Sequence, residues 1–498
     1  ITLASIPTVD PDRCPGSPIS RLIAASLSQE QNLAFAAFQD WLADDLGRDP
    51  FVLSGFAGTG KTFLSMSFLA EAEALGMCWT VAAPTHKAVD VLSQHLQRAG
   101  LRATWYPSTL HRLLRLKLRR QDDLEICQET AQTARSLESL DLVLIDEASM
   151  LDSSLLEITL RCAHPFATRL IFVGDPGQLP PISEAVSPVF SGLKARSASL
   201  SQVVRHSGAV LRLASGLRTG ALPCEAPPVL PALESQGSRV AFWQRSAWLA
   251  AAQAALRRCA EAQDPNLVRI LCYTNRSLER LVPIARRALH GDEADCKPVL
   301  PGEMLITRGA VMAPACREPS EAVGDGELVL GSNRELKVLE VEPELCDLSA
   351  FGTATPTVLI ETFNLRVHSG EGEFRLRLMP PIASKARGEL DAALRSLRSQ
   401  ALAADKGQAR WIWRHYFQVR DAFAPLGPAA VLTVHRSQGS TFGEVFVDGD
   451  VFTPADRMLR RRLVYVAVSR ASKSVALMAQ PGPPGREALW LQWLNGEN

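Results

Sequence analysis

The sequence predicts an α/β protein with two parallel-sheet domains, the second split by a β-rich insert. Three observations carry this. Short apolar runs ending in polar residues alternate with helical patterns between Phe51 and Asp175. The same alternation starts again near Arg269 and resumes after residue 425. Between them, from about 297 to 385, the pattern is strand-like, with few helical stretches.

Taken in order, "QEQNLAFAAFQDWLADD" places Phe35, Phe38, Trp41 and Leu42 at helical spacing. "FVLS" then reads as a buried strand, and "GFAGTGKT" (Gly55 to Thr62) turns it into a helix beginning near Lys61. "WTVAAP", "DLVLIDE" and "RLIFVGD" are three more short strands. A parallel sheet of this kind binds ligands at its carboxyl edge. Leu114, Leu116 and Leu118 alternate with Arg115, Lys117 and Arg119, and Leu124 and Ile126 resume the alternation. This predicts a β-hairpin within 112–130, which on pattern alone could be an ordinary surface feature. The Pro-rich stretch 222–239 reads as a linker or irregular loop. "EMLITRGAV", "ELKVLEVE", "TVLIETFNLRV" and "EFRLRLM" predict a small β-barrel, followed by helical sequence through "WIWRHYFQVRDAF". "AAVLTV", "EVFVDG" and "SVALMA" return to buried strands. The expected boundaries are a leader at 1–26, a first domain at 27–195, a second at 196–296 and 425–498, and an insert at 297–424.

Bulk properties narrow the classes. A chain of 498 residues suggests about three or four domains. At 46% hydrophobic it has material for large cores, yet no run approaches the ~18 residues of a membrane span. The first 18 residues lack a basic start and an apolar stretch, so they read as a loose, trimmed leader and not a signal peptide. The ten cysteines are scattered without a Cys-x-x-Cys pair, which argues against zinc knuckles and iron–sulfur clusters and fits a reducing cytoplasm. Lys plus Arg and Asp plus Glu both number 53, so nucleic-acid binding would rest on local patches.

The chemistry begins with the glycine loop. Backbone N–H groups from Gly58, Thr59, Gly60, Lys61 and Thr62 at a helix N-terminus can surround phosphate oxygens. Lys61 adds a point charge, and the Thr62 hydroxyl suits Mg²⁺. Asp146, at a strand's end in "LVLIDEAS", can hold the same Mg²⁺, and Glu147 can polarise an attacking water. A helix-terminal acid pair is the plain alternative. Gln178 in "FVGDPGQLPPI" can sense a γ-phosphate or orient water; otherwise it is a turn glutamine. Arg205 in "LSQVVRHSG" and Arg470 in "RRLVYVAVSRA" could reach a phosphate, although most surface arginines are merely solvated.

Together, "GFAGTGKT", "APTHKAV", "STLHRLL", "LIDEASM", "VGDPGQLPPI", "LSQVVRHSG", "YTNR", "LTVHRSQGSTF" and "RRLVYVAVSRA" stand in the order of the motifs of superfamily 1 helicases. The chain resembles the subgroup B, RecD-like and phage Dda-like enzymes, which move 5′ to 3′ on single-stranded DNA. "GDPGQLPP" and "TVHRSQGST" have this subgroup's form, although Arg436 stands where the family commonly has Lys. The resemblance implies two RecA-like P-loop domains, with a β-hairpin insertion in the first and an SH3-like β-barrel insertion in the second. It implies that Gln31 recognises adenine, that Lys61, Thr62 and Asp146 hold phosphate and Mg²⁺, and that Glu147 is the base. Gln178 would couple the γ-phosphate to the domain interface, Gly439 would lie by that phosphate, and Arg205 and Arg470 would be arginine fingers. Pro84, Thr85, His86, Thr109, His111, Thr433 and Ser437 would line the DNA track. The hairpin would act as the wedge at a fork, near Arg120 to Asp123.

The implied activity is ATP-dependent unwinding by a monomer on single-stranded and forked duplex DNA, alongside single-stranded-DNA-binding, replication or repair proteins. Rival readings are a translocase or remodelling ATPase that leaves duplex closed, and a nucleotide-dependent scaffold. RNA stays open as a track. Basic clusters at Arg115 to Arg120 and "RMLRRR" (457–462) would help grip DNA unless they are solvated faces.

Overall fold

The computed structural model describes residues 27–44, 47–121, 124–181, 184–201, 208–312, 328–352, 357–370, 372–481 and 486–495. They fall into two compact units, one of residues 1–117 and 128–206, the other of 118–127 and 207–498.

The first unit's strands are β1 (Phe51–Gly55), β2 (Trp79–Ala83), β3 (Ser108–Thr109), β6 (Leu142–Ile145), β7 (Arg169–Gly174) and β8 (Arg196–Leu200). Between β3 and β6 the chain forms β4 (Lys117–Gln121) and β5 (Leu124–Gln128), a separate two-stranded sheet. The main sheet has the order β3-β2-β6-β7-β1-β8, and all its pairs are parallel. Alternate residues of each strand enter different cores. Phe51, Leu53, Leu144, Ile171 and Val173 pack with helices Gln29–Leu42, Lys61–Ala74 and His86–Ala99. Val52, Val143, Ile145 and Phe172 pack on the other face with helix Ser153–Ala163. Covering both faces requires the near-continuous apolar runs that announce these strands. The helical spacing expected at the start holds: Phe38 and Trp41 are fully buried, with Phe38 stacked on Phe68 at 4.1 Å.

In the second unit, helix Ala209–Thr219 is followed by β9 (Leu230–Ser235) and β10 (Ser238–Trp243), then β11 (Val268–Cys272). An antiparallel region follows: β12 (Met304–Thr307), β13 (Val311–Met312), β14 (Leu328–Leu330), β15 (Glu335–Asp347), β16 (Leu359–Ser369), β17 (Gly372–Arg377) and β18 (Leu426–Pro428). Helices Lys385–Ala403 and Lys406–Asp421 lie between β17 and β18. β19 (Val431–Thr433), β20 (Phe442–Val447) and β21 (Ala471–Met478) return to the α/β layer. Its sheet runs β19-β11-β20-β21-β10-β9, parallel except at the β10–β9 edge. The five-stranded antiparallel sheet runs β17-β16-β15-β12-β18, and a bridge between Leu378 and Ala424 draws its two edge strands together at one end.

Two sequence expectations change. The Pro-rich 222–239 stretch is not a plain linker, because half of it forms β9 and its hairpin turn. Gln236 and Gly237 both have positive φ, as a tight hairpin turn requires, and Pro231 is tolerated because β9 is an edge strand. The Leu114–Leu118 alternation is not all strand either. Leu110–Leu113 is a short helix, Leu114 is buried in the core, Arg115 turns through φ 54°, and β4 starts only at Lys117. The Asp122–Asp123 tip lies outside the described residues. Among the described residues no helix is long and apolar enough to cross a membrane.

Two ion pairs fasten the antiparallel region to its unit. Arg286 donates to Glu303 at 2.7 Å and to the carbonyls of Ala294 and Lys297, while Glu303 also accepts from Leu300 N. Arg269 pairs with Glu335 at 3.2 Å and lies over the Phe442 ring. Removing one partner of a buried pair strands the other charge. Glu303→Ala should therefore destabilise the chain by about 3–5 kcal/mol, measured as a lowered midpoint in urea unfolding.

Candidate nucleotide and nucleic-acid site

β6, β7 and β1 are consecutive neighbours in the first sheet. The loops leaving their carboxyl ends carry Asp146 and Glu147, Gln178, and Gly58 to Thr62 respectively. Gly58 and Gly60 both have φ 83°, a left-handed turn that suits glycine. Lys61 Nζ donates to the carbonyls of Gly55 and Phe56, at 2.8 and 2.9 Å, which holds the ammonium over the loop. Gln31 is buried and braces this loop. Its amide donates to Thr59 O at 3.1 Å, and its Oε1 accepts from Ser28 N at 3.0 Å in a capping box.

Asp146 keeps a path to solvent yet lies among dense protein. Burial, then the neighbouring Glu147 carboxylate, push its carboxyl up to about 7, against a pull downward from the Glu147 N–H and Lys61. A cation would relieve that burial, and a carboxylate with a threonine hydroxyl is a hard-oxygen donor set that fits Mg²⁺. Glu147 sits at φ 52°, ψ 39°, in the left-handed region that costs a non-glycine residue about 1–2 kcal/mol. Strain of this kind collects at functional sites. Gln178 is only 5% exposed, and its Oε1 has no hydrogen-bond partner among the described residues. The turn-glutamine alternative would leave this group in water. A buried, unsatisfied amide oxygen instead calls for a ligand.

The two strands beyond β6 carry the predicted track residues. Pro84, Thr85 and His86 follow β2, and Thr109 ends β3. Thr85 and Thr109 both serve as helix caps, accepting from Ala88 N and Arg112 N. His111 is held below its ordinary pKa by burial, partly opposed by Asp152.

In the second unit, Thr433 ends β19 level with Cys272, whereas β20 begins near the opposite edge, where Glu444 pairs with Val268. The segment from Thr433 to Phe442 thus descends the depth of the sheet, roughly 20 Å at strand rise. Ser437 lies within it, buried, with its hydroxyl donating to Val434 O at 2.8 Å. At the lower end Gly439 turns at φ 74°. There Arg470 is buried, donating to Ser440 O at 3.3 Å and to Ser469 Oγ at 3.1 Å. The structure brings Gly439 and Arg470 together. Arg205 lies outside the described residues.

Three features were not anticipated. Asp450 accepts from Tyr273 N, Thr274 N and Thr274 Oγ1, at 2.8 to 2.9 Å, and so fixes the "YTNR" turn. Glu30 accepts from Ser201 N at 2.9 Å, just ahead of the segment containing Arg205. Arg436 reaches the carbonyls of Thr307 and Arg308, at 3.3 and 2.6 Å, so the departure from Lys ties this segment to the antiparallel sheet. A planar fork can span two carbonyls in a way an ammonium cannot. The "RMLRRR" cluster is divided: Arg457 and Met458 stay exposed, while Arg460, Arg461 and Arg462 are half-buried against their own unit. Arg457 and Arg460 lie 3.9 and 3.7 Å from Glu225, and burial lowers the Arg462 pKa.

Two family models match the chain: an AAA domain over residues 27–238 and a UvrD-like helicase C-terminal domain over 428–478. The first covers the first unit and the start of the second, and the other covers the strands and helix from the end of β18 to β21. The ATP-dependent RecD2 DNA helicase of Deinococcus radiodurans is 30% identical over 226 residues, 45% of this chain and 28% of that protein. An uncharacterized protein of Acanthamoeba polyphaga mimivirus is 30% identical over 158 residues, 28% of this chain and 31% of that one. The chain therefore spans less than a third of the length of the curated relatives it matches. Among solved structures, Pif1 helicases described for unwinding at forked double-stranded DNA align over 95% of this chain and 97% of theirs, at 13% identity and TM-score 0.46. Bacteroides Pif1 in complex with ADP-AlF3 and single-stranded DNA aligns over 90% and 94%, at 15% identity and TM-score 0.44. The resemblance to RecD-like superfamily 1 helicases is borne out by the family models and the RecD2 match.

Gly60→Ala meets both the left-handed φ and a Cβ placed 2.4 Å from Gln31 Nε2. It should weaken ATP binding at least about tenfold, and adding Gln31→Ala should not restore it, because the backbone strain of about 1–2 kcal/mol remains and the brace on Thr59 O is lost. Equilibrium titration with a fluorescent ATP analogue checks this. Glu147→Gln should leave that affinity within about threefold and lower kcat by roughly two orders of magnitude or more, measured by phosphate release.

Proposed function

We propose that the chain is an ATP-dependent helicase motor that moves 5′ to 3′ on single-stranded DNA and opens duplex ahead of it. The observation that carries the reading is the alignment of Lys61, Asp146, Glu147 and the unsatisfied Gln178 at the carboxyl ends of three adjacent strands. The loop N–H groups and Lys61 bind the triphosphate. Glu147 takes the proton of the attacking water, and Gln178 Oε1 gains its missing partner when substrate is bound. Mg²⁺, held by Thr62 and Asp146, would neutralise charge building between the β- and γ-phosphates. Gln31 keeps the loop in register and borders the adenine.

In this reading Arg205 and Arg470 act as arginine fingers, a contribution of ~10³–10⁵ in rate. Differential affinity of open and closed states for ATP drives the cycle, and phosphate contacts with base stacking hold the strand. Pro84, Thr85, His86, Thr109, His111, Thr433 and Ser437 supply that grip, in part through backbone whose shape the two capping threonines fix. We take 27–201, with β8 included beyond the boundary of 195 expected from the sequence, as the first RecA-like domain, 208–296 with 429–498 as the second, and 297–428, with β18 included, as an SH3-like barrel with a helical pair. The near-closure of the antiparallel sheet supports the barrel. The β4–β5 hairpin is the proposed wedge, and the eight described free cysteines fit a cytoplasmic setting.

Strand displacement on 5′-tailed and 3′-tailed duplexes tests the assignment. The 5′ tail should support unwinding and the 3′ tail should not, with Lys61→Ala silent on both. A preference for the 3′ tail overturns the subgroup, and no unwinding despite DNA-stimulated ATPase leaves a translocase.

A further inference from the structure

The helical pair 385–421 interrupts the antiparallel sheet between β17 and β18 and belongs to none of the motifs. In a chain of zero formal charge, it carries eight Lys and Arg against four Asp and Glu. A cavity of about 330 Å³ opens on it. Arg387, Asp391, Arg395 and Arg398 line it from the first helix, at spacings that put them on one face. Tyr416 and Arg420, one turn apart on the second helix, complete the wall above an apolar floor that includes Leu390 and Leu394. Arg387 pairs with Asp391 at 2.9 Å, and the largely buried Arg420 pairs with Asp421 at 3.0 Å and lies over the Phe417 ring. Arg395 and Arg398 are exposed. The arginine row from Arg387 to Arg398 is about 16 Å long at helical rise.

We propose that this arginine-lined groove is a nucleic-acid contact, binding the phosphodiester backbone of single-stranded DNA beyond the strand held by the motor motifs. Arginine forks match phosphate oxygens. Arg395 and Arg398 stand i,i+3, with Cβ atoms ~5–6 Å apart, so they can take neighbouring phosphates. The apolar floor receives sugar and base, whereas a lone inorganic anion would leave it unused. A row open along a helix suits a continuous string of charges better than one compact group. The proposal rests on DNA being the polymer this motor handles.

The test is fluorescence anisotropy of the full chain with oligo(dT) of 8, 16 and 24 nucleotides, without ATP, over a salt series. The proteins are wild type, R395E/R398E, R395K/R398K and the control R257E, which reverses an exposed arginine elsewhere. The charge reversal should weaken the longer oligomers about tenfold and flatten the salt dependence by about 1.4 in log–log slope, roughly 0.7 for each phosphate no longer neutralised. The 8-mer and the control should not change, and R395K/R398K should recover most of the affinity. Equal affinity and slope for R395E/R398E and wild type at every length overturns the proposal, even if the groove takes inorganic phosphate or an acidic peptide. A chain that binds through this groove but unwinds neither tailed duplex sinks the helicase reading and keeps this one.

Discussion

The constraint on which the molecule depends is the direction of its parallel strands. Every strand in the first sheet points the same way, so every loop at one edge follows a strand's carboxyl end. The order β3-β2-β6-β7-β1 then lays the chemistry out in sequence along that edge. The residues proposed to line the track stand at the ends of β3 and β2, the acid pair follows β6, Gln178 follows β7 and the glycine loop follows β1. At ~4.8 Å per strand, the phosphate loop and the end of β3 are separated by roughly 19 Å. Nothing in this arrangement needs the side chains to find one another; the sheet places them.

The second unit uses its sheet differently. Thr433 sits at the carboxyl edge, while Gly439, Ser440 and Arg470 gather at the amino edge. The segment joining them crosses the depth of the sheet. Arg470 donates to Ser440 O, which lies in the same short segment that carries Ser437 and Thr433. Arg436 ties that segment to the antiparallel sheet as well. The residues proposed to meet nucleotide and those proposed to grip the strand therefore share one piece of backbone, an arrangement that would suit the proposed coupling of hydrolysis to movement.

The α/β layers were legible because strands buried on both faces must be apolar throughout, as "LVLI" and "RLIFV" are. The glycine loop and the acid pair were legible because their spacing is fixed by the ligand. Less visible were features set by tertiary context. β9 hid behind Pro231, acceptable only on an edge. The start of β4 hid behind the positive φ of Arg115, which no residue type announces. The brace from Gln31 to Thr59 O is also absent from the sequence pattern, since it depends on which carbonyl lies across from it, whereas the caps made by Thr85 and Thr109 are local, three residues apart. Asp450 and Glu30 escaped because the groups they hold are distant in sequence.

The contacts from Arg470 to Ser440, in the segment that carries Ser437 and Thr433, are proposed to link ATP hydrolysis to the grip on the strand. The most direct measurement is steady-state ATP turnover with and without saturating oligo(dT). The account predicts turnover at least about tenfold faster with the oligomer, because a bound strand biases the state competent for hydrolysis. Turnover that is appreciable and identical in both conditions would contradict it.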